Sequence, residues 1–317
     1  MASIDQPKTA DAELPTTPGS PAIAQDPPPG SAACCPLCGG VAGAAAFPYG
    51  THYNGTHFRY FACRDCDTRF IDPVPDAATM VRMYAPDQYH DQFYEFDDLA
   101  DYAETVAKLV PALPAGARIL DYGCGAGHFV RAARARGFDA VGAEFSADAA
   151  QNAAQHLGAT VYALDRDDWI AAGPWDCIHL GDVIEHLPDP RATLRQIVAQ
   201  IRPGGYLSVT GPLEANRSLV FAAIRFYDWA KAQIGRAEGE FAPFHIYFTD
   251  AKAQRAFFDH LGTALEQVSW QTFETGWPYH RRDPVRDMIA RAAIAASRIP
   301  GIGAGLGNRF RALFRLR

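Results

Sequence analysis

Ile119-Leu-Asp-Tyr-Gly-Cys-Gly-Ala-Gly-His-Phe129 is the stretch on which the reading of this 317-residue chain turns. Two apolar β-formers lead into Asp121, three alternate glycines follow (Gly123, Gly125, Gly127), and an Ala/Arg-rich helix begins near Phe129. A strand that ends in an acid and turns through glycines leaves a loop almost free of side chains. A ligand can approach that backbone closely, at the strand end where α/β sheets bind ligands. The spacing is G-x-G-x-G; it is not the G-x-G-x-x-G of dinucleotide folds, and no Lys-Ser/Thr follows as a phosphate loop requires. About 20 residues further on, Asp139 to Glu144 reads as a second short strand ending in a carboxylate, the spacing at which a βαβ unit places a ribose-binding acid.

Two later segments continue the pattern. Trp175 to Leu180 is a buried-strand run followed by Gly181-Asp-Val-Ile-Glu-His-Leu-Pro-Asp-Pro190, and Ile201 to Val209 joins a helix end, a Pro-Gly-Gly turn and another strand. In this order and spacing the segments resemble the class I S-adenosylmethionine-dependent methyltransferases, over roughly Ala115 to Phe273. The resemblance implies an α/β fold, a Rossmann-like seven-stranded sheet with S-adenosylmethionine at the strand ends. It also implies that Asp121, Gly123, Gly125 and Gly127 flank the methionine part of that cofactor and that Glu144 binds its ribose. Leu164 and Asp165, after a third strand at Thr160 to Ala163, would border the adenine.

Hydrophobic residues make up 48% of the chain, enough for a sizeable core, and no apolar run is long enough to span a membrane. Residues 1–33 hold seven prolines and no aromatic residue, and no apolar signal segment is expected there. Such a stretch buries too little surface to offset the entropy of ordering, so a disordered tail is expected. The full partition reads: tail 1–33, a zinc ribbon at 34–73, a helical linker and cofactor cover at 74–115, a methyltransferase domain at 116–275 with an acceptor-side insertion at 213–248, and a helical basic tail at 276–317.

The ribbon rests on cysteine spacing. Cys35-Pro-Leu-Cys38 and Cys63-Arg-Asp-Cys66 are two C-x2-C pairs with 24 residues between them, and Phe47 to Phe61 has the aromatic content of short strands. Four thiolates so paired suit a closed tetrahedral zinc site that holds together a module too small to fold alone. The competing reading is a pair of disulfides; with no sign of export, reduced thiols and zinc are favoured. Cys34 is a spare that could replace Cys35. The C-P-L-C-G stretch, C-R-D-C, Phe70 to Pro75 and a tyrosine-containing segment are similar to a subgroup of bacterial methyltransferases linked to glycans and specialised metabolites. That resemblance implies that Tyr84 and Tyr89 cover the cofactor. The chain is too short for the extra domain of the related sugar C-methyltransferases, which favours O- or N-methylation.

An alcohol acceptor needs help losing its proton, from a base or a metal. Asp182, Glu185 and His186 lie at i, i+3 and i+4 and would share one helical face, and His245 returns over the same sheet end. These four are candidate catalytic residues and a candidate site for a second divalent metal. The stretch resembles the E-x-x-E-H metal site of quinone-biosynthesis O-methyltransferases and small-RNA ribose methyltransferases, with Asp182 in place of the first Glu. The alternatives are a metal-free histidine base, or Asp182 and Glu185 as helix-orienting groups.

Ser218 to Ile234 has apolar residues at helical spacing, from which Arg225, Tyr227 and Trp229 could reach an acceptor. Residues 276–317 hold nine arginines and two acids, a balance of +7 within a chain of net charge −7, which leaves −14 on the remainder. Arg309, Phe310, Leu313, Phe314 and Arg315 suggest a short amphipathic helix able to lie on an anionic membrane. The sequence therefore predicts an enzyme that O-methylates a hydroxyl of a sugar, glycan or related small metabolite; a lipid-linked acceptor would fit the membrane reading of the tail. It is expected in the cytoplasm or at the inner membrane face, with no nucleic-acid partner, since no dense basic groove is present. The alternatives are an inactive methyltransferase-like scaffold, or a protein or nucleic-acid methyltransferase that recognises its target through the ribbon.

Overall fold

The structure is a computed structural model that describes residues 33–84, 99–109, 111–233, 238–239, 242–276, 284–300 and 305–317. The Pro-rich tail through residue 32 and the linker residues 85–98 and 110, Tyr89 among them, lie outside the described residues. The described chain opens with three strands, β1 (Ala42–Tyr53), β2 (Thr56–Cys63) and β3 (Arg69–Asp72). The β1–β2 hairpin turns on Asn54 and Gly55, both at positive φ (50° and 76°), as two-residue hairpin loops demand. Helices α1 (Ala77–Met83) and α2 (Leu99–Leu109) follow. Then come β4 (Arg118–Tyr122), α3 (His128–Ala135), β5 (Asp139–Glu144), α4 (Ala147–Leu157), β6 (Val161–Ala163), α5 (Asp168–Ala171) and β7 (Trp175–Gly181). A 3-10 turn (Ile184–His186) leads to α6 (Pro190–Ala199) and β8 (Ile201–Pro212). The acceptor-side insertion carries α7 (Leu219–Gln233), β9 (Glu238–Gly239) and β10 (Tyr247–Phe248). The chain closes with α8 (Ala251–Asp259), β11 (Leu265–Phe273), α9 (Pro284–Ser297) and β12 (Arg309–Leu316).

The main sheet has seven strands in the order β11-β12-β8-β7-β4-β5-β6, so the Rossmann-like fold read from the sequence is the one observed. Strands β6, β5, β4, β7 and β8 are parallel, and β12 runs antiparallel between β8 and β11. The strand order reverses beside β4, and ligands bind open α/β sheets in the crevice at such a point. Strand β4 is buried from Ile119 onward, and its first amide is fixed by Asp176, whose Oδ2 accepts from Arg118 N–H at 2.7 Å.

Strand β12 corrects the reading of the C-terminus. Arg309 to Arg315 is a sheet strand, with Phe310, Ala312 and Phe314 buried on one face, where an amphipathic helix was expected. Apolar residues alternate at period two there, and the strand pairing that fixes the pattern comes from segments far away in sequence. The domain boundary at 275 therefore cuts off a strand that the sheet needs. Two of the tail arginines turn inward: Arg311 meets Glu104 and Thr105, and Arg309 meets Asp182. Helix α9 keeps the helical part of the expected tail.

The ribbon strands also do not stand apart. Strand β9 pairs with β1 and β10 with β3, giving a five-stranded sheet to which the insertion contributes both edges. Phe58, Phe70 and Ile71 share one apolar core with Leu120, Ile178 and Leu207.

Candidate active site

The cofactor end is built locally. Gly123, Gly125 and Gly127 all lie at positive φ (78°, 50° and 76°). A Cβ at Gly123 would stand 2.7 Å from Val183 Cγ2, and one at Gly127 would stand 2.2 Å from the Leu157 side chain. Only glycine fits these two positions, by conformation and by space. Glu144 closes the loop: its Oε2 accepts from Gly125 N–H at 2.8 Å and its Oε1 from Phe145 N–H at 2.8 Å. Asp121 is buried behind it, and burial, then the Glu144 charge, push its carboxyl well above the usual range. Leu164 N–H donates to the Glu144 carbonyl at 2.8 Å, while Asp165 is exposed. A bare loop with a carboxylate at each neighbouring strand end fits an adenosyl ligand carrying ribose hydroxyls and a cationic methionine.

The acceptor end is assembled from three segments. The 3-10 turn presents Glu185 and His186, the segment after β8 presents Glu214, and the stretch just before β10 presents His245. His186 Nδ1–H donates to the Phe244 carbonyl at 2.7 Å, and His245 Nδ1–H donates to Glu214 Oε2 at 2.7 Å. The two rings stand 4.8 Å apart, edge to face. One ligand atom each from Glu185, His186 and His245 falls within 4.8 Å of the others. Burial, and then the neighbouring His245, draw His186 down to about 3, so it stays neutral. Burial also works against a charged His245, but the Glu214 charge and hydrogen bond, with Glu185 and Asp182, outweigh it and lift His245 to about 9. Glu185 is raised to about 8 by burial first and by the Asp182 charge second.

Asp182 departs from expectation. It lies before the 3-10 turn at φ 54°, and Arg309 Nη2 donates to both its carboxylate oxygens at 2.8 and 2.7 Å. It does not share a face with Glu185 and His186, because the segment forms no α-helix. Tyr84 links the two ends, with its ring against Phe145 (5.6 Å), His186 (5.9 Å) and Phe244 (6.1 Å). Tyr227 and Trp229 of α7 are exposed, and Arg225 is half-buried with Arg69 nearby.

Glu214 and Arg309 were not foreseen. Glu214 sits two residues beyond β8, an acid just past a strand end, which is the logic that singled out Glu144. Arg309 left no comparable signal.

Away from this end, Cys35, Cys38, Cys63 and Cys66 bring four sulfurs within 4.8 Å of one another, with Cys35–Cys66 at 3.8 Å and Cys38–Cys63 at 3.4 Å. Zn–S bonds of about 2.3 Å set tetrahedral S···S edges of roughly 3.8 Å, so the set fits zinc. Cys35, not Cys34, stands in the cluster. The hydrogen bond with Cys35 draws the Cys66 thiol down against its burial.

With this geometry in view, a family model described as a methyltransferase domain matches residues 90–268, more than half the chain. The chain belongs to that methyltransferase family, and it is an S-adenosylmethionine-dependent methyltransferase. Among curated relatives, a ubiquinone biosynthesis O-methyltransferase of Xanthomonas axonopodis pv. citri is 32% identical over 170 residues, 51% of this chain and 68% of that protein. One of the same name from Cereibacter sphaeroides is 28% identical over 178 residues, 53% of this chain and 70% of that protein. The chain spans only about half of other relatives of that name, 48% and 50% of their length. A solved S-adenosylmethionine-dependent methyltransferase from Archaeoglobus fulgidus aligns over 69% of this chain and 94% of its own, at 18% identity and a TM-score of 0.44.

Proposed function

We propose that the protein transfers the methyl group of S-adenosylmethionine to a hydroxyl oxygen of a small acceptor, a sugar or glycan hydroxyl or that of a related metabolite. The observation that carries this is the meeting of Glu185, His186 and His245 beside the glycine loop. When bound, S-adenosylmethionine supplies a sulfonium methyl open to in-line attack. The chain does the rest. Glu144 accepts hydrogen bonds from the ribose hydroxyls, Asp121 and the glycines flank the methionine portion, and Leu164 and Asp165 border the adenine. Tyr84 covers the cofactor and screens it from water. Tyr89, outside the described residues, is proposed for the same cover.

The acceptor hydroxyl must lose a proton as its oxygen attacks. With its Nδ1–H committed to the Phe244 carbonyl, His186 keeps an Nε2 lone pair to take that proton. His245, held protonated by Glu214, sets a positive charge beside the developing negative oxygen. The same donors suit a divalent cation, because both imidazoles anchor Nδ1 and leave Nε2 for the cluster. Buried Glu185 Oε1 also has no hydrogen-bond partner among the described residues. Glu185, His186 and His245 would hold that cation, which would acidify the hydroxyl. Asp182, tied to Arg309, stands outside the set.

Zinc on the four cysteines is proposed as a structural ion. Exposed Val285 and Met288, with Arg286 and Arg291 also exposed, and Arg298 and Ile299 just past its end, make α9 the part of the basic tail suited to an anionic bilayer; flotation with anionic vesicles tests this, and protein left at the bottom refutes it.

Labelled-methyl transfer to panels of glycan, nucleotide-sugar and phenolic hydroxyls tests the main reading. Label recovered as a methyl ether is the expected result. Label recovered on nitrogen or on protein, or none despite bound S-adenosylmethionine, contradicts it.

A further inference from the structure

Ile246, the residue after His245, is held from both sides by backbone groups. Its N–H donates to the Glu185 carbonyl at 2.8 Å, and its carbonyl accepts from Ile71 N–H of β3 at 2.9 Å. Next in sequence, the Tyr247 hydroxyl donates to the Ile184 carbonyl, inside the same 3-10 turn. Phe248 then packs edge-on against two rings of the ribbon, Phe47 at 5.5 Å and Tyr60 at 5.8 Å. Three consecutive residues thus join the ribbon to the turn that carries Glu185 and His186.

The ribbon side of this join is set by the cysteines. Cys63 ends β2 and Cys66 lies three residues before β3, so the C-x2-C turn fixes where β3 begins. Its backbone is closed by Cys63 N–H donating to the Thr68 carbonyl at 2.8 Å. The sulfur of Cys66 also lies 3.1 Å from Thr68 Oγ1. Strand β3 pairs with β2 on one edge and with β10 on the other, at Tyr247↔Phe70 and Phe248↔Arg69. A shift of the knuckle therefore moves the strand to which Ile246, Tyr247 and Phe248, the residues following His245, are tied.

We infer that the four-cysteine ribbon is a positioning element of the active site: β3, set by the Cys63–Cys66 turn, holds Ile246 and so fixes His245 against Glu185 and His186. Loss of the metal, or oxidation of the thiols, would then loosen the acceptor end while the glycine loop, held by Glu144 and by Gly123 and Cys124 N–H bonds to the Ala143 carbonyl, stays formed. The residues that transmit this, Phe47, Ile71 and Phe248, are positioning residues and touch no substrate. The inference rests on zinc occupying the four thiols, so metal content is measured before anything else.

The test uses the full chain. Zinc is stripped with a chelator, and peptide-resolved hydrogen exchange is followed before stripping, after it, and after zinc is restored. Amides of residues 244–248 are expected to exchange about tenfold faster or more in the stripped protein, with β4 and β5 unchanged and protection regained on zinc return. Equal exchange at 244–248 with and without zinc overturns the inference, and so does uniform loosening of the whole domain. Phe47→Ala covers the case in which stripping unfolds the ribbon. It should keep zinc content and S-adenosylmethionine affinity while kcat falls about tenfold, with rescue by Phe47→Leu. An unchanged kcat in Phe47→Ala, with only a lower Tm, marks a merely structural ribbon and overturns the inference. A chain that holds no zinc as purified fails at the zinc reading itself, a distinct result.

Discussion

The cofactor end and the acceptor end of this molecule lie at the same edge of one sheet, yet they are made in opposite ways. At the cofactor end Asp121, three glycines and Glu144 come from one β-loop-α-β passage, and Glu144 binds the amide of Gly125 only 19 residues away. At the acceptor end, Glu214 meets His245 across 31 residues, His186 meets Phe244 across 58, and Arg309 reaches Asp182 across 127. A local loop keeps its shape if distant strands shift. An assembly of distant segments depends on every pairing between them. The two ends should therefore fail separately.

Glu144→Ala should have the largest effect on cofactor binding. It removes the charge-assisted hydrogen bond to Gly125 and those proposed to the ribose, each worth roughly 1.5–3 kcal/mol, so S-adenosylmethionine affinity should drop about a hundredfold or more by calorimetry. Gly127→Ala should act on the same end, since its Cβ would run into Leu157. Reduced affinity together with a lowered Tm is the expected pair of results.

On the other side, His245→Ala or His186→Ala should lower kcat by about 10²–10⁴ with cofactor affinity kept, the range for losing a proton-transfer or charge-stabilising group. Chelation followed by addition of Mg²⁺ or Mn²⁺ sharpens the same comparison. Activity that returns only with such an ion, with zinc still on the cysteines, assigns Glu185, His186 and His245 to metal. Activity that survives chelation assigns His186 to the base.

Glu214→Gln should have a smaller effect with a defined pH signature. The Glu214 carboxylate raises His245 above its ordinary value, to about 9. A raised folded-state pKa gives stability that is complete below the unfolded value near 6.5 and is lost as pH rises through about 9. The Tm gap between wild type and variant should thus be widest below pH 6.5 and close above pH 9. A gap that widens with pH would refute the pairing. Arg309→Met should cost least, releasing Asp182 from its bidentate partner and changing kcat by a few fold, read in steady-state assays.

The contrast also explains what the sequence disclosed. Asp121, the glycines and Glu144 were legible because backbone conformation and spacing dictate them within one βαβ passage. The cysteine pairs were legible because two C-x2-C turns of matching spacing can bring four sulfurs together, as they do here. Asp182 was misplaced because i, i+3, i+4 spacing implies a face only on an α-helix, and the chain makes a single 3-10 turn there with Asp182 at positive φ. Strand β12 was misread because R-F-R-A-L-F-R carries both a two-residue and a helical pattern, and only its pairing with β8 and β11 decides between them. The insertion strands β9 and β10 are two residues long, too short to leave any periodicity.

The most direct measurement is calorimetric titration of S-adenosylmethionine into wild type, Glu144→Ala and His245→Ala, with methyl transfer assayed on the same preparations. The account predicts that Glu144→Ala loses binding and that His245→Ala binds like wild type but turns over about 10²–10⁴ times more slowly. Wild-type binding by Glu144→Ala, or parallel loss of binding in both variants, would contradict two separately built ends.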